Sequence, residues 1–233
     1  MPLILCIETA TDVCSVALER DGLLLAIAQS DEPKSHAGTV TIFIQQVMNE
    51  SNLNLSQIDA VSVSKGPGSY TGLRIGTATA KGLCYALDKP LIAINTLHSM
   101  TSYLIHFYRL ETLNLKPETL FAPLIDARRM EVYTAVFNNL LNEISGTKAE
   151  IISENSFTEL LNENKIIFFG DGVDKCKQVL SVNPNADFVN GFKTSARGMM
   201  SLSERVFAEK KFEDIAYFEP FYLKDFVGSK PMI

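Results

Sequence analysis

Residues 3–7 form an unbroken apolar run, residues 13–18 alternate apolar with small positions, and the short polar stretch Glu8–Asp12 lies between them. A buried strand, a tight turn and a half-buried return strand give that pattern. Asp21-Gly22 supplies the positive φ angles of a second hairpin turn, so Leu23–Ala28 is predicted to be a third antiparallel strand. Beyond Pro33 the period changes. Val40, Phe43, Ile44, Val47 and Met48 fall at i, i+3, i+4, i+7 and i+8, one face of a helix. Ala60–Ser64 reads as a short buried strand, Lys65–Tyr70 as a glycine-rich loop, and Thr71–Leu87 as a helix stopped by Asp88-Lys89-Pro90. Leu91–Ile94 is a further strand. Residues 97–108 read as a helix with Leu97, Met100, Leu104 and Phe107 as its buried set.

The second half repeats the sense of the first. Leu124-Ile125-Asp126-Ala127-Arg128 matches Cys6-Ile7-Glu8-Thr9-Ala10, and Val132–Val136 matches the return strand Val13–Ala17. Ile166–Phe169 runs into Gly170-Asp171-Gly172 as Val61–Lys65 runs into Gly66-Pro67-Gly68. Between these features Ser156-x-x-Glu159 has the form of a capping box that opens a helix. The offsets of 104–119 residues are far too long for a solenoid and predict a duplicated α/β unit. Residues 1–110 and 119–225 are then two lobes, 111–118 their linker and 226–233 a tail. Such a duplication resembles the two-lobed actin-like α/β architecture shared with sugar kinases and Hsp70. In that superfamily two similar lobes face one another across a cleft, and the hairpin turns hold nucleotide phosphates.

Composition narrows the function classes. The 233 residues are 46% hydrophobic and 21% charged, enough apolar material for a core without metal or disulfide support. The formal net charge is −6, and no Lys/Arg run exceeds two residues, so the basic stripe of a stand-alone nucleic-acid grip is missing. Met1–Glu8 carries no basic segment and is too short to span a membrane. The four cysteines form no C-x-x-C pair and read as reduced, buried small residues. A cytoplasmic protein is expected.

The segment Gly66–Gly76 is the richest in candidate chemistry. A glycine-rich turn entering a helix exposes unpaired N–H groups at the positive end of the helix dipole, which suits an anion. Gly66, Gly68, Ser69 and Thr71, with the turn acids Glu8 and Asp126, are therefore candidates for a vestigial anion or nucleotide loop. Glu8 and Asp126 would share a hydrated Mg²⁺ if both hairpins faced one cleft, or each would simply bond nearby N–H groups of its own turn. No Walker A lysine follows, Thr71 breaks G-x-G-x-x-G, and Pro67 replaces the first glycine of G-x-S-x-G. Further along, Gly72, Gly76 and Ala80 recur every four residues and Cys84 continues the row, a smooth stripe on one face of the helix. Two interior glycines cost about 1 kcal/mol each relative to alanine, so close approach of another backbone must offset them. Either the protein's own sheet or a second chain supplies it, and the shortage of catalytic groups points to a second chain. Among the three histidines, His36 has Val40 at i+4, and His98 and His106 lie eight apart, so no helical metal pair forms.

The residues Ile58–Val63, Gly66–Gly76 and Ala80-Lys81-Gly82-Leu83 closely resemble the bacterial TsaB (YeaZ) family. Ile7-Glu8-Thr9-Ala10, Asp126-Ala127-Arg128-Arg129-x-Glu131-Val132-Tyr133 and the late Pro220-x-Tyr222-Leu223 are similar to it as well. Tyr70 stands where the family more usually has phenylalanine, and Lys224 where arginine is common. The resemblance implies a non-catalytic subunit of the machinery that makes N6-threonylcarbamoyladenosine (t6A) on tRNA. Its implied partner is a TsaD-like paralogue that carries the transferase chemistry and a metal, with a TsaE-like ATPase in the full assembly and a homodimer when alone. It further implies no cofactor on this chain, ATP/ADP and metal on the partner subunits, only indirect contact with tRNA, and no membrane. The family pairs through first-lobe helices, which places Gly72, Gly76, Ala80 and His36 at the expected interface. The rival expectations are a stand-alone nucleotide-dependent phosphotransferase or ATPase and, more remotely, a metallopeptidase.

Overall fold

The computed structural model describes residues 2–30, 36–108, 116 and 118–224. The chain opens with β1 (Leu3–Glu8), β2 (Cys14–Arg20) and β3 (Leu23–Ser30), followed by α1 (His36–Glu50), β4 (Ala60–Gly66), α2 (Tyr70–Leu87), β5 (Leu91–Asn95) and α3 (Thr96–Phe107). The second half runs β6 (Leu120–Asp126), β7 (Glu131–Phe137), β8 (Glu143–Ile151), α4 (Thr158–Glu163), β9 (Ile166–Phe169), α5 (Val173–Leu180), β10 (Ala186–Val189) and α6 (Met200–Ala208). Asp21 and Gly22 both have positive φ, which gives the β2–β3 turn the twist a two-residue hairpin needs.

The two sheets have one topology. Their strand orders are β3-β2-β1-β4-β5 and β10-β9-β6-β7-β8, with the hairpin strands antiparallel and the crossover strands parallel in both. The predicted duplication extends to single residues: Gly66 and Gly170, at the ends of the matching strands β4 and β9, have φ of 108° and 114°. A side chain is strained in that conformation, so glycine stands at both.

Every residue of β1 is buried because its sheet is covered on both faces. Leu3, Leu5 and Ile7 pack with Val40, Ile44 and Val47 of α1 and with Ala80 and Cys84 of α2. Ile4 and Cys6, pointing the other way, pack with Ala196, Met199 and Leu202, which belong to α6 and the 3-10 turn before it. In the second sheet Leu124 meets α4 and α5 through Leu161, Val173, Cys176 and Leu180. Phe121 and Ile125 meet Leu97, Met100 and Leu104 of α3. Each such fully buried side chain contributes about 1.5–3 kcal/mol of transfer free energy.

The lobes thus exchange a helix. α3, which lies within residues 1–110, covers the second sheet, and α6, which lies within 119–225, covers the first, so neither chain segment closes its own core. Of the expected linker 111–118 only 116 and 118 are among the described residues, and the expected tail 226–233 lies outside them. Among the described residues no helix is long and apolar enough to cross a membrane.

Two local expectations are corrected. Ser156 does not cap a helix: its Oγ accepts from Ser153 N at 3.1 Å, closing the preceding turn, while α4 starts at Thr158 behind Phe157 at φ 61°. Phe107 is exposed rather than buried, and its ring carries the Arg197 guanidinium at 4.2 Å. The polar, mostly exposed strand β8 and the elements α5, β10 and α6 had no reading in the sequence.

Candidate functional site

The lobes enclose a cleft of about 520 Å³. The β1–β2 turn contributes Thr11 and Asp12, the start of α2 contributes Ser69, Tyr70 and Thr71, and the second lobe contributes Asp126, Arg128 and Asp171. Asp126 is fixed by its turn. Its Oδ1 accepts from Arg128 N at 2.6 Å, while Arg128 and Arg129 take left-handed φ of 71° and 50°. Lys175 Nζ sits 2.6 Å from the same oxygen and donates also to Glu131 O at 2.6 Å. Asp171 accepts from Asp126 N at 2.9 Å, and burial raises its pKa, with the neighbouring Asp126 charge adding to the rise.

Glu8 stands at the place in β1 that Asp126 holds in β6, yet it does not line the cleft. It is fully buried; Oε1 accepts from Ala10 N at 2.6 Å, and Oε2 has no partner among the described residues. Burial pushes its pKa up to about 7, against the lowering effect of the Ala10 hydrogen bond. The structure therefore does not bring Glu8 and Asp126 onto one cation: one carboxyl is enclosed and the other ion-paired. No group of three His, Cys, Asp or Glu among the described residues could hold a metal ion.

The glycine loop spends its donors on the chain itself. Ser69 N donates to Ala10 O at 2.6 Å, and Ser69 Oγ accepts from Gly72 N at 3.3 Å as the N-cap of α2. Gly68 lies against Ala10 and lines the cleft, Thr71 is exposed on it, and Gly66 faces the backbone of Phe221 instead.

The row Gly72, Gly76 and Ala80 is the largest correction. All three are buried in this chain's own interior. A Cβ at Gly72 would lie 2.0 Å from Thr9 O, and one at Gly76 would lie 2.3 Å from Thr9 Oγ1, which itself donates to Gly72 O at 2.8 Å. The neighbour that the small residues admit is the β1–β2 turn, not a second polypeptide. His36 also turns inward: its Nε2 donates to Thr11 O at 2.8 Å, and the ring stays half-buried beside Gly72.

What sequence reasoning missed is the opposite side of the same helix. Thr71, Arg74, Ala78, Gly82 and Tyr85 form one exposed row on α2, and on the adjoining α1 Gly38, Ile42, Gln45 and Asn49 form another. Ile42 and Tyr85 are 63% and 85% exposed. Among the described residues, a Cβ added at Gly38 or Gly82 would meet nothing within 4 Å. The signal was available in the sequence, since Gly82 stands outside the four-residue rhythm.

No cysteine or histidine among the described residues lines the cleft. The four cysteines are buried, and desolvation holds Cys14, Cys84 and Cys176 at about 11 and Cys6 higher still. His106 Nδ1 donates to Ser102 O at 3.0 Å, which removes the lone pair it would need to activate the nearby Ser102 hydroxyl. His98 stacks on Phe137, and burial, reinforced by Arg205, lowers its pKa to about 4.

Comparison with known proteins adds the lineage. The sequence model of the family described as "TsaD: tRNA N6-adenosine threonylcarbamoyltransferase" matches residues 30–224. The tRNA threonylcarbamoyladenosine biosynthesis protein TsaB of Bacillus subtilis is 28% identical over 229 residues, 95% of this chain and 93% of that protein. Among solved structures, YeaZ from Pseudomonas aeruginosa superimposes with a TM-score of 0.79 at 24% identity, covering 96% of this chain and 100% of that one. The Lmo2764 protein of Listeria monocytogenes, a candidate N-acetylmannosamine kinase, shares the two-lobed actin-like fold at a TM-score of 0.50 and 8% identity, covering 89% of this chain and 99% of that one.

Proposed function

The chain belongs to the TsaB (YeaZ) family and acts in tRNA threonylcarbamoyladenosine biosynthesis, and on that premise we propose that it does so as a non-catalytic, partner-binding subunit. The observation that carries this reading is the outer face of α1 and α2. Gly38 and Gly82 are helical glycines with open space beside them, flanked by the exposed side chains of Ile42 and Tyr85. An interior glycine costs a helix about 1 kcal/mol relative to alanine, and nothing among the described residues offsets that at Gly82. A backbone or ring from another chain seated between Ile42 and Tyr85 would offset it.

On this reading the partner is a TsaD-type transferase subunit, with a TsaE-type ATPase joining the assembly, and nucleotide and metal reside on those chains in the cytoplasm. The same face pairs two copies of this chain when the partner is absent. tRNA is reached through the partner, in keeping with the net charge of −6. The poverty of the cleft in reactive groups supports the division of labour: its serine caps a helix and its Asp126 is ion-paired.

Titration calorimetry with the transferase subunit tests the assignment. Gly82→Arg is expected to weaken pairing at least about 100-fold while the melting temperature stays within a few degrees of wild type, because the new side chain points into solvent in the free protein. Wild-type affinity in Gly82→Arg would show that the partner docks elsewhere. ATP turnover by the isolated chain would overturn the non-catalytic reading.

A further inference from the structure

The Pro220-x-Tyr222-Leu223 motif has no part in the helix face assigned above. It lies on a strap, residues 211–224, that leaves α6 and runs along the first lobe. Glu213 N donates to Leu91 O at 2.9 Å, and Phe218 is buried in the first lobe's core. Lys81 Nζ, from α2, donates to Ala216 O at 3.2 Å and Phe218 O at 3.0 Å, and Phe221 N donates to Lys65 O at 2.6 Å. At Tyr222 the strap enters the cleft, its ring centroid 4.9 Å from that of Tyr70. Two residues later it reaches the second lobe, where Lys224 Nζ pairs with Glu131 Oε2 at the start of β7.

Two sequence motifs that had no assigned contact therefore meet across the cleft: the late Pro220-x-Tyr222-Leu223 with the following Lys224, and the hairpin segment that contains Glu131. We propose that the strap is a latch that sets the width of the interlobe cleft, clamped to the first lobe by Lys81, Lys65 and Tyr70 and to the second by Glu131. The lobes are tied elsewhere as well, by Asn95 Nδ2 at the end of β5 donating to Thr147 Oγ1 of β8 at 3.1 Å and by a contact of a different kind. Where α3 meets the turn before α6, a Cβ at Gly198 would lie 2.3 Å from Ser99 O, so the crossed helices join the lobes through packed backbone with no slack. The strap's hold on the second lobe is a half-exposed ion pair, a weak contact that forms and releases readily. The crossed helices act as pivot and the strap as catch.

The four native cysteines are buried, so spin labels placed at Ser56→Cys, in the turn between α1 and β4, and Glu159→Cys on α4, both exposed and outside the pairing face, report the interlobe distance when the labelled chain is diluted into unlabelled protein. Lys224→Glu sets like charges against one another and is expected to raise the fraction of a longer, open distance by about two- to fivefold. Tyr222→Ala shifts the distribution the same way. The charge-swapped pair Lys224→Glu with Glu131→Lys returns it to wild type, a rescue that general loosening of the strap would not give. A distance distribution in Lys224→Glu that superimposes on wild type, or a swapped pair that stays open, would overturn the latch. Unchanged melting temperatures confirm that each variant is folded.

Discussion

The two lobes share strand order and hairpin register but differ in what covers the hairpin turn. In the first lobe the covering helices are long, 15 residues in α1 and 18 in α2, and α2 comes so close that Thr9 touches its backbone. Glu8 is sealed beneath that contact. In the second lobe α4 and α5 are 6 and 8 residues long, and Asp126 stays at the cleft, held by Lys175. One topological position holds a buried carboxyl in the first lobe and an ion-paired one at the cleft in the second. The lobes share one scaffold, and the closeness of the covering helix separates a turn sealed inside the lobe from one open to the cleft.

Substitutions that force the lobes to resemble one another test this contrast. The largest effect is expected at Gly76→Val, whose Cβ would strike Thr9 Oγ1. Overpacking there should cost at least about 3 kcal/mol in urea unfolding. A variant with wild-type stability would mean that α2 can lift off the turn as freely as the second lobe's helices.

Next in size is the pH dependence set by buried carboxyls. Burial holds Glu8 up at about 7 and Glu19, also fully buried, at about 8, against an ordinary value near 4.5. Between those limits the folded chain keeps protons that the unfolded chain has released, so stability falls as pH rises from about 5 to 8. Glu8→Gln should leave stability near pH 4.5 unchanged and raise it at pH 8 by on the order of 2 kcal/mol, flattening the profile. An unaltered profile would show that Glu8 is ionised in the fold. By contrast Lys175→Met, which removes the second lobe's half-exposed pair, should cost no more than about 1 kcal/mol. Gly82→Ala, filling open space in mid-helix, should raise the thermal midpoint slightly, by about 0.5–1 kcal/mol of stability.

Much of the scaffold was legible. The first three strands, α1, α2, β4, β5 and the repeat of hairpin and glycine loop follow from hydrophobic period and turn chemistry, because local pattern and burial agree there. β8 escaped because an edge strand with a largely solvated surface carries little apolar signal. The capping box at Ser156 misled because the same spacing also closes a turn, as its hydroxyl does here. At the candidate site the residues Ser69, Thr71 and Asp126 do meet in one cleft, while Glu8, next to the same turn, is cut off from it.

By itself the sequence determined that α2 must have a smooth face, since glycine at positions 72 and 76 has no other use in a helix. Only the tertiary structure decided which surface that face receives. A four-residue rhythm records how closely something approaches but not whether it belongs to the same chain, and Thr9, 63 residues from Gly72, is brought there by the β1–β4 pairing. The same holds for the strap: Glu131 and Lys224 are ordinary charges 93 residues apart until the fold sets them on either side of one cleft.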